Sequence, residues 1–258
     1  MKKLALVALL LITVGFFCIT KRGHFSTEIL LEAHPADLES SFDFDAFNEL
    51  LVNPLSYIGN GLESVAFVTH DDKYVLKFFL KRQILKKVFF KPKKKFKQLF
   101  YNINEICSGY ETLKKYRWAH EFLRDETGVL AVHSEKSCGE LLSCVLIDYR
   151  GKKHNVDLNK VAFIVQKKAK IISQSMLKEE FKIVNLQLRA LFSEIARKGF
   201  ISSSCTFNPL NFATLGGRAL MIDVGKLDFA KAVDSYEVEE GKLNERYNSW
   251  IDRKLDLF

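Results

Sequence analysis

The chain has 258 residues, enough for one large domain or two small ones around a packed core. Apolar residues make up 48% and charged residues 27%, which excludes a disordered, collagen-like or coiled-coil chain. The net charge is +8, yet eleven Lys or Arg and no Asp or Glu fall between Lys73 and Asn104, so the rest of the chain sums to about −3. A basicity confined to one segment argues against a general nucleic-acid binder and asks for a local explanation.

Lys2 and Lys3 precede an uncharged apolar run over residues 4–20, which stops at Lys21 and Arg22. Its 17 residues would span about 26 Å as a helix, the lower limit for crossing a bilayer. Residues 1–22 therefore read as a membrane anchor, with a cleaved signal segment and an ordinary buried helix as alternatives. A cleavage site wants small residues, and Phe16, Phe17, Cys18 and Ile19 are bulky; the same bulk speaks against lipid attachment at Cys18. Basic residues at both ends leave the orientation open. Residues 23–50 read as a polar connector with His34-Pro35 and an acidic stretch over 37–45. Cysteines 18, 107, 138, 144 and 205 form no metal spacing and read as buried free thiols.

Residues 65–69 and 74–78 alternate like strands and are separated by His70, Asp71, Asp72 and Lys73, the pattern of an antiparallel hairpin. Before them stands Gly59-Asn60-Gly61-Leu62-Glu63-Ser64. Two glycines at that spacing let a turn offer its N–H groups to a phosphate, although a plain turn is the commoner meaning. Lys77 shares a strand face with Val75 and Phe79, where an ammonium must snorkel or find an anion.

Residues 81–97 carry nine basic side chains interleaved with Ile84, Leu85, Val88, Phe89, Phe90 and Phe96. Anionic lipid attracts each basic group by roughly 1 kcal/mol and aromatic side chains enter the interface, so a membrane surface is the expected partner. A solvated insert is the second reading and nucleic acid the third. Residues 104–124 have helical spacing in Leu113, Tyr116 and Phe122 or Leu123, and end at Thr127-Gly128. Strands follow near 129–133 and 141–149, with a turn at Arg150-Gly151. Residues 161–165 suit a central buried strand, after which Gln166 opens a polar connector.

Residues 176–198 form the clearest helix: Leu177, Phe181, Val184, Leu188, Leu191, Phe192 and Ile195 recur at steps of three and four, and Gly199 stops it. Gly216-Gly217 then signals a two-residue hairpin turn. If Leu215 pairs with Arg218, Asn211 opposes Ile222 and lies diagonal to Asp223. Strands are about 4.8 Å apart, so an amide oxygen and a carboxylate meet at one end of the hairpin, as a hard cation such as Mg²⁺ requires. The plainer alternative is a turn cap and a strand end.

Together these parts resemble the protein-kinase-like superfamily, particularly its small bacterial members such as lipopolysaccharide core kinases. The run from Gly59 to Val65 looks like the glycine-rich loop, with Ser64 where a third glycine often stands. Val75-Leu76-Lys77 is similar to the strand bearing the phosphate-binding lysine. Thr206-Phe207-Asn208-Pro209-Leu210-Asn211 looks like the catalytic loop, and Asp223-Val224-Gly225 resembles the metal-binding DFG motif. The resemblance covers about residues 51–227. It implies an α+β, two-lobed kinase-like fold, following the N-terminal transmembrane helix read from the apolar run. Residues 51–166 would form an antiparallel five-stranded lobe with one helix and the basic insert 81–97, and residues 167–258 a small, mainly helical lobe. It also implies ATP and Mg²⁺ as cofactors. Gly59, Gly61, Ser64, Lys77, Glu111 and Gln166 would line the nucleotide; Asn211 and Asp223 would hold the metal. Glu111, with Glu121 as the alternative, is the expected carboxylate partner of Lys77.

The family's proton-accepting aspartate falls at Thr206, and no Asp or Glu lies between Glu194 and Asp223. A threonine hydroxyl accepts no proton near neutral pH, so efficient phosphoryl transfer is not expected. The reading is a membrane-anchored pseudokinase that binds nucleotide or scaffolds a protein partner the sequence does not identify. One alternative is an atypical kinase acting on a lipid-linked or saccharide hydroxyl. Another is a membrane-surface interaction protein with a relic cleft. A chain beginning at residue 23 is expected to co-sediment with anionic vesicles, and changing Lys93, Lys94 and Lys95 to Glu should abolish it; undiminished binding contradicts the surface model.

Overall fold

The computed structural model describes residues 25–33, 44–61, 63–81, 109–134, 143–172, 178–202 and 208–229, with Glu245 and Asn248. The apolar run 4–20, basic residues 82–97, Thr206 and almost all of the closing segment lie outside the described residues. Among the described residues no helix is long and apolar enough to cross a membrane.

Seven strands form the main sheet: β1 (Leu55–Asn60), β2 (Ser64–Val68), β3 (Tyr74–Phe79), β4 (Val129–His133), β5 (Ser143–Ile147), β6 (Lys153–Asp157) and β7 (Phe163–Lys167). Their order is β4-β7-β3-β2-β1-β5-β6, and every neighbouring pair is antiparallel except β1 with β5. The expected five antiparallel strands are thus corrected to seven in a mixed sheet. One addition is β1, which runs straight into the glycine segment. The other is β6, whose sequence Lys-His-Asn-Val-Asp lacks apolar alternation because it lies at the edge and buries only Val156.

The two faces of the sheet feed two cores. Leu76 and Phe78 of β3 pack with Phe67, Leu55, Leu146 and Phe163 on one side. Phe79 faces the other, where helix α2 (Gly109–Phe122) supplies Leu113, Tyr116 and Ala119. In chain order α2 follows α1 (Phe44–Leu51) and precedes α3 (Arg124–Thr127) and the long α4 (Lys178–Arg197). The backbone of α2 comes so close to β3 that a Cβ on Gly109 would stand 2.8 Å from the Leu80 carbonyl oxygen. Its first residue therefore has to be glycine.

Residues 25–33 are not a detached connector. The Leu31 N–H donates to the Phe79 carbonyl (2.7 Å), its own carbonyl accepts from Ala162 N–H (2.9 Å), and Leu30, Leu31 and Ala33 are buried. The expected 23–50 linker is corrected to that extent: this part of it closes the end of the sheet.

The second half of the chain is less helical than expected among the described residues. Helix α4 inserts Val184, Leu188, Leu191, Phe192 and Ile195 into the core shared with α2, at steps of three and four. It ends where Gly199 takes a φ of 83°. Two small sheets accompany it: β8 (Lys170–Ile171) with β10 (Phe212–Leu215) and β11 (Arg218–Met221), and β9 (Phe200–Ser202) with β12 (Leu227–Phe229). Leu215 pairs with Arg218 across Gly216 and Gly217, whose φ values of 55° and 77° make the tight turn.

Two buried titratable groups belong to the core. Burial pushes the Cys144 thiol up to about 12, so it is inert. His133 stacks on Phe163 with centroids 4.9 Å apart, and its Nε2 has no hydrogen-bond partner among the described residues. Burial lowers its pKa to about 4, against a bond to the Leu158 backbone that raises it. The unfolded chain takes up this proton near pH 6.5 and the folded chain only near pH 4, so stability falls as pH drops through that window. The expected loss is about 3 kcal/mol at most. In chemical denaturation from pH 7 to 4, His133→Phe should flatten the profile relative to wild type; parallel profiles contradict the assignment.

Candidate functional site

The site is assembled where β3 faces α2 and the end of the β10–β11 hairpin. Lys77 lies on β3 between β2 and β7, opposite Ala66 and Ile164. Strand alternation turns it away from Leu76 and Phe78 toward α2. Its Nζ donates to the Tyr116 hydroxyl (3.1 Å) and to the Ile222 carbonyl, and the Tyr116 hydroxyl donates to that same carbonyl (3.2 Å). The ammonium also stands 5.4 Å from the Tyr116 ring centroid. Among the described residues Lys77 has no ion pair. Burial therefore lowers its pKa to about 8, while the charge of nearby Asp223 acts in the opposite direction. Burial, Asp223 and Glu63 all push the Tyr116 phenol up, against a bond from the Val224 backbone, so it remains a neutral donor.

Asn211 and Asp223 meet as the hairpin register requires. The Asn211 carbonyl accepts from Ile222 N–H (2.8 Å) and Asp223 N–H (3.3 Å). Asn208 organises the approach: its Oδ1 accepts from Leu210 N–H (3.1 Å), and its Nδ2 donates to Asn211 Oδ1 (3.2 Å). The exposed Asp223 carboxylate accepts from Gly225 N–H (3.0 Å) through Oδ1. Backbone bonds thus join the residues that bear an amide oxygen and a carboxylate, two hard donors of the kind that suits a cation such as Mg²⁺. Among the described residues no three His, Cys, Asp or Glu side chains gather as a metal-binding group. A cation here would be held jointly with oxygens from a ligand.

The glycine segment borders the same region. Gly59 lies in β1 where the register with β2 shifts, and Gly61 N–H donates to the Ser64 carbonyl (2.8 Å). A Cβ on Gly59 would meet nothing within 4 Å, and one on Gly61 only the Ser64 carbonyl at 4.0 Å. Neither glycine has a positive φ. Among the described residues no side chain packs against either glycine.

Two expected residues are not where the resemblance implies. Glu111 is exposed on the outer face of α2, and the helix offers Tyr116 to Lys77 in its place; Glu121 is exposed as well. The buried positions of α2 are 109, 112, 113, 116 and 119, and this spacing turns position 111 away from the sheet. Gln166 is buried inside the sheet between Val75 and Val129, and its Nε2 donates to the Thr127 carbonyl (2.6 Å). Its side chain is committed to holding α3 against β7.

Two residues with no role assigned from sequence belong to the site. Tyr116 is one, and its place at the buried spacing of α2 is the signal for it. Glu63 is the other: its carboxylate reaches beneath the sheet, accepts from the Thr112 hydroxyl and faces the Asp223 turn. Burial raises its pKa, with Asp223 adding to the effect; Thr112, Lys226 and Lys115 oppose it. A glutamate between two glycines and a strand carries no periodic signal of this contact.

No protein-family model matches the chain, and no curated protein matches it. Among solved structures, it is similar to the GDP complex of a point mutant of aminoglycoside 2′-phosphotransferase IIIa, with a TM-score of 0.39 and 10% identity. That likeness covers 83% of this chain and 96% of the other.

Proposed function

We propose that this chain is a nucleotide-binding protein of the protein-kinase-like superfamily that lacks the usual proton acceptor, a pseudokinase held at a membrane. The observation that carries the reading is the approach of Lys77 to the hairpin end bearing Asn211 and Asp223. Lys77, which has no ion pair among the described residues, donates to the Ile222 carbonyl, whose N–H and that of the exposed Asp223 both bond the Asn211 carbonyl. The sheet supports it further: β4-β7-β3-β2-β1 are five successive antiparallel neighbours with the lysine on the middle strand and a helix across one face.

The physical logic is one of charge. A half-buried ammonium whose partners are a carbonyl and a phenol is stabilised by any anion that reaches it. Phosphate oxygens supply that charge to Lys77. Asn211 Oδ1 and the Asp223 carboxylate would hold Mg²⁺, whose charge would offset that of the phosphates. The glycine segment would let phosphate approach its backbone without a side chain in the way. With threonine at position 206, nothing on the catalytic loop takes a proton from a substrate hydroxyl, so binding rather than turnover is the activity expected. The apolar run 4–20 and the basic aromatic segment would hold the domain at a bilayer.

Thermal unfolding of the full chain with ATP and Mg²⁺ tests the reading. Ligand at 100 times Kd should add about 2.7 kcal/mol. Lys77→Met should abolish that gain and yet raise the stability of the ligand-free protein, by about 3 kcal/mol at most, because the depressed lysine pKa is a folding cost at pH 7. No shift with millimolar ATP and Mg²⁺, or a full shift in Lys77→Met or Asp223→Ala, contradicts the assignment.

A further inference from the structure

Resting on this nucleotide reading, we propose that Glu63 makes nucleotide binding conditional on a divalent cation. The glycine segment holds Glu63 firmly: its carbonyl accepts from Leu80 N–H (2.9 Å), and its carboxylate accepts from the buried Thr112 hydroxyl of α2. From there it faces Asp223 across Gly225. A Cβ on Gly225 would stand 3.2 Å from Asp223 Oδ1 and 3.3 Å from Glu63 Oε2. Two carboxylates therefore close on one glycine, and a side chain there would oblige both to shift by a few tenths of an ångström.

Among the described residues three lysines lie around this pair, two of them with contacts of their own. Lys115 donates to the Gly225 carbonyl (3.1 Å) and pairs with Asp228 (3.3 Å). Lys226 acts on Glu63 through its charge, and Lys77 donates to Tyr116 and the Ile222 carbonyl. A polyphosphate arriving without a cation adds negative charge beside two carboxylates already facing each other. A polyphosphate arriving with one brings added positive charge to the pair. Asp223 would ligate that cation, and Glu63 would act through space as a positioning residue that penalises the metal-free ligand.

Isothermal titration of the full chain at pH 8, with ATP in excess Mg²⁺ and with ATP in EDTA, reads the effect. Wild type should bind ATP much more weakly in EDTA. Glu63→Gln should tighten the EDTA affinity by roughly tenfold relative to the Mg²⁺ affinity, so the ratio of the two narrows. Glu63→Ala should narrow it in the same direction and serves if the amide is not tolerated. A ratio unchanged in both variants, or both affinities falling together, overturns the proposal while leaving the nucleotide reading intact. If wild type binds ATP in neither condition, the nucleotide reading and this inference fall together.

Discussion

Lys77 is a cation placed on β3, an interior strand of the seven-stranded sheet, and its ammonium has to be satisfied from outside that sheet. The partners it reaches are the phenol of Tyr116 and the carbonyl of Ile222, neither of which carries a charge. Each arrives from a separate part of the chain. Tyr116 requires α2 to lie tight against β3, which the close approach of Gly109 to Leu80 permits. Ile222 requires the β10–β11 hairpin to end directly under Lys77. The fold can thus be understood as a means of delivering two neutral acceptors and one nearby carboxylate to a half-satisfied ammonium.

The hairpin links this constraint to metal chemistry. Its Gly216-Gly217 turn sets the register, the register places the Asn211 carbonyl against the N–H groups of Ile222 and Asp223, and Asn208 orients the Asn211 amide. The same two-residue step that sends the Ile222 carbonyl toward Lys77 leaves the Asp223 carboxylate exposed. One rigid element therefore supplies both the acceptor that holds the lysine and the ligand that would hold a cation. Glu63 adds a second carboxylate to this region from the opposite wall.

Much of this was legible in the sequence where periodicity or a turn signal specified it. The pairing of residue 215 with 218, the face of β3 that carries Lys77 and the apolar stripe of α4 follow from alternation, from Gly-Gly and from steps of three and four. The strands β1 and β6 were not legible, because one runs through glycines that read as a turn and the other is a polar edge strand. Residues 25–33 pair through only a few backbone bonds, too short a stretch for a strand pattern. Glu111 is the expected partner as a carboxylate inside the helix, whereas the phase of α2, with Gly109 against Leu80, turns position 116 inward. Charge suggested a salt bridge; steric phase decided for a phenol. The opening excess of basic charge contributes little to this site, since ten of its eleven residues lie elsewhere along that segment.

The central claim is that Lys77 carries a charge the folded protein only partly compensates. Its titration, followed by NMR of a lysine-labelled chain and assigned by comparison with Lys77→Arg, tests this directly. The account predicts a midpoint near pH 8 in the ligand-free protein that moves upward when ATP and Mg²⁺ are added. A midpoint near the ordinary lysine value of about 10.4 without ligand, or one that saturating nucleotide does not move, would contradict it.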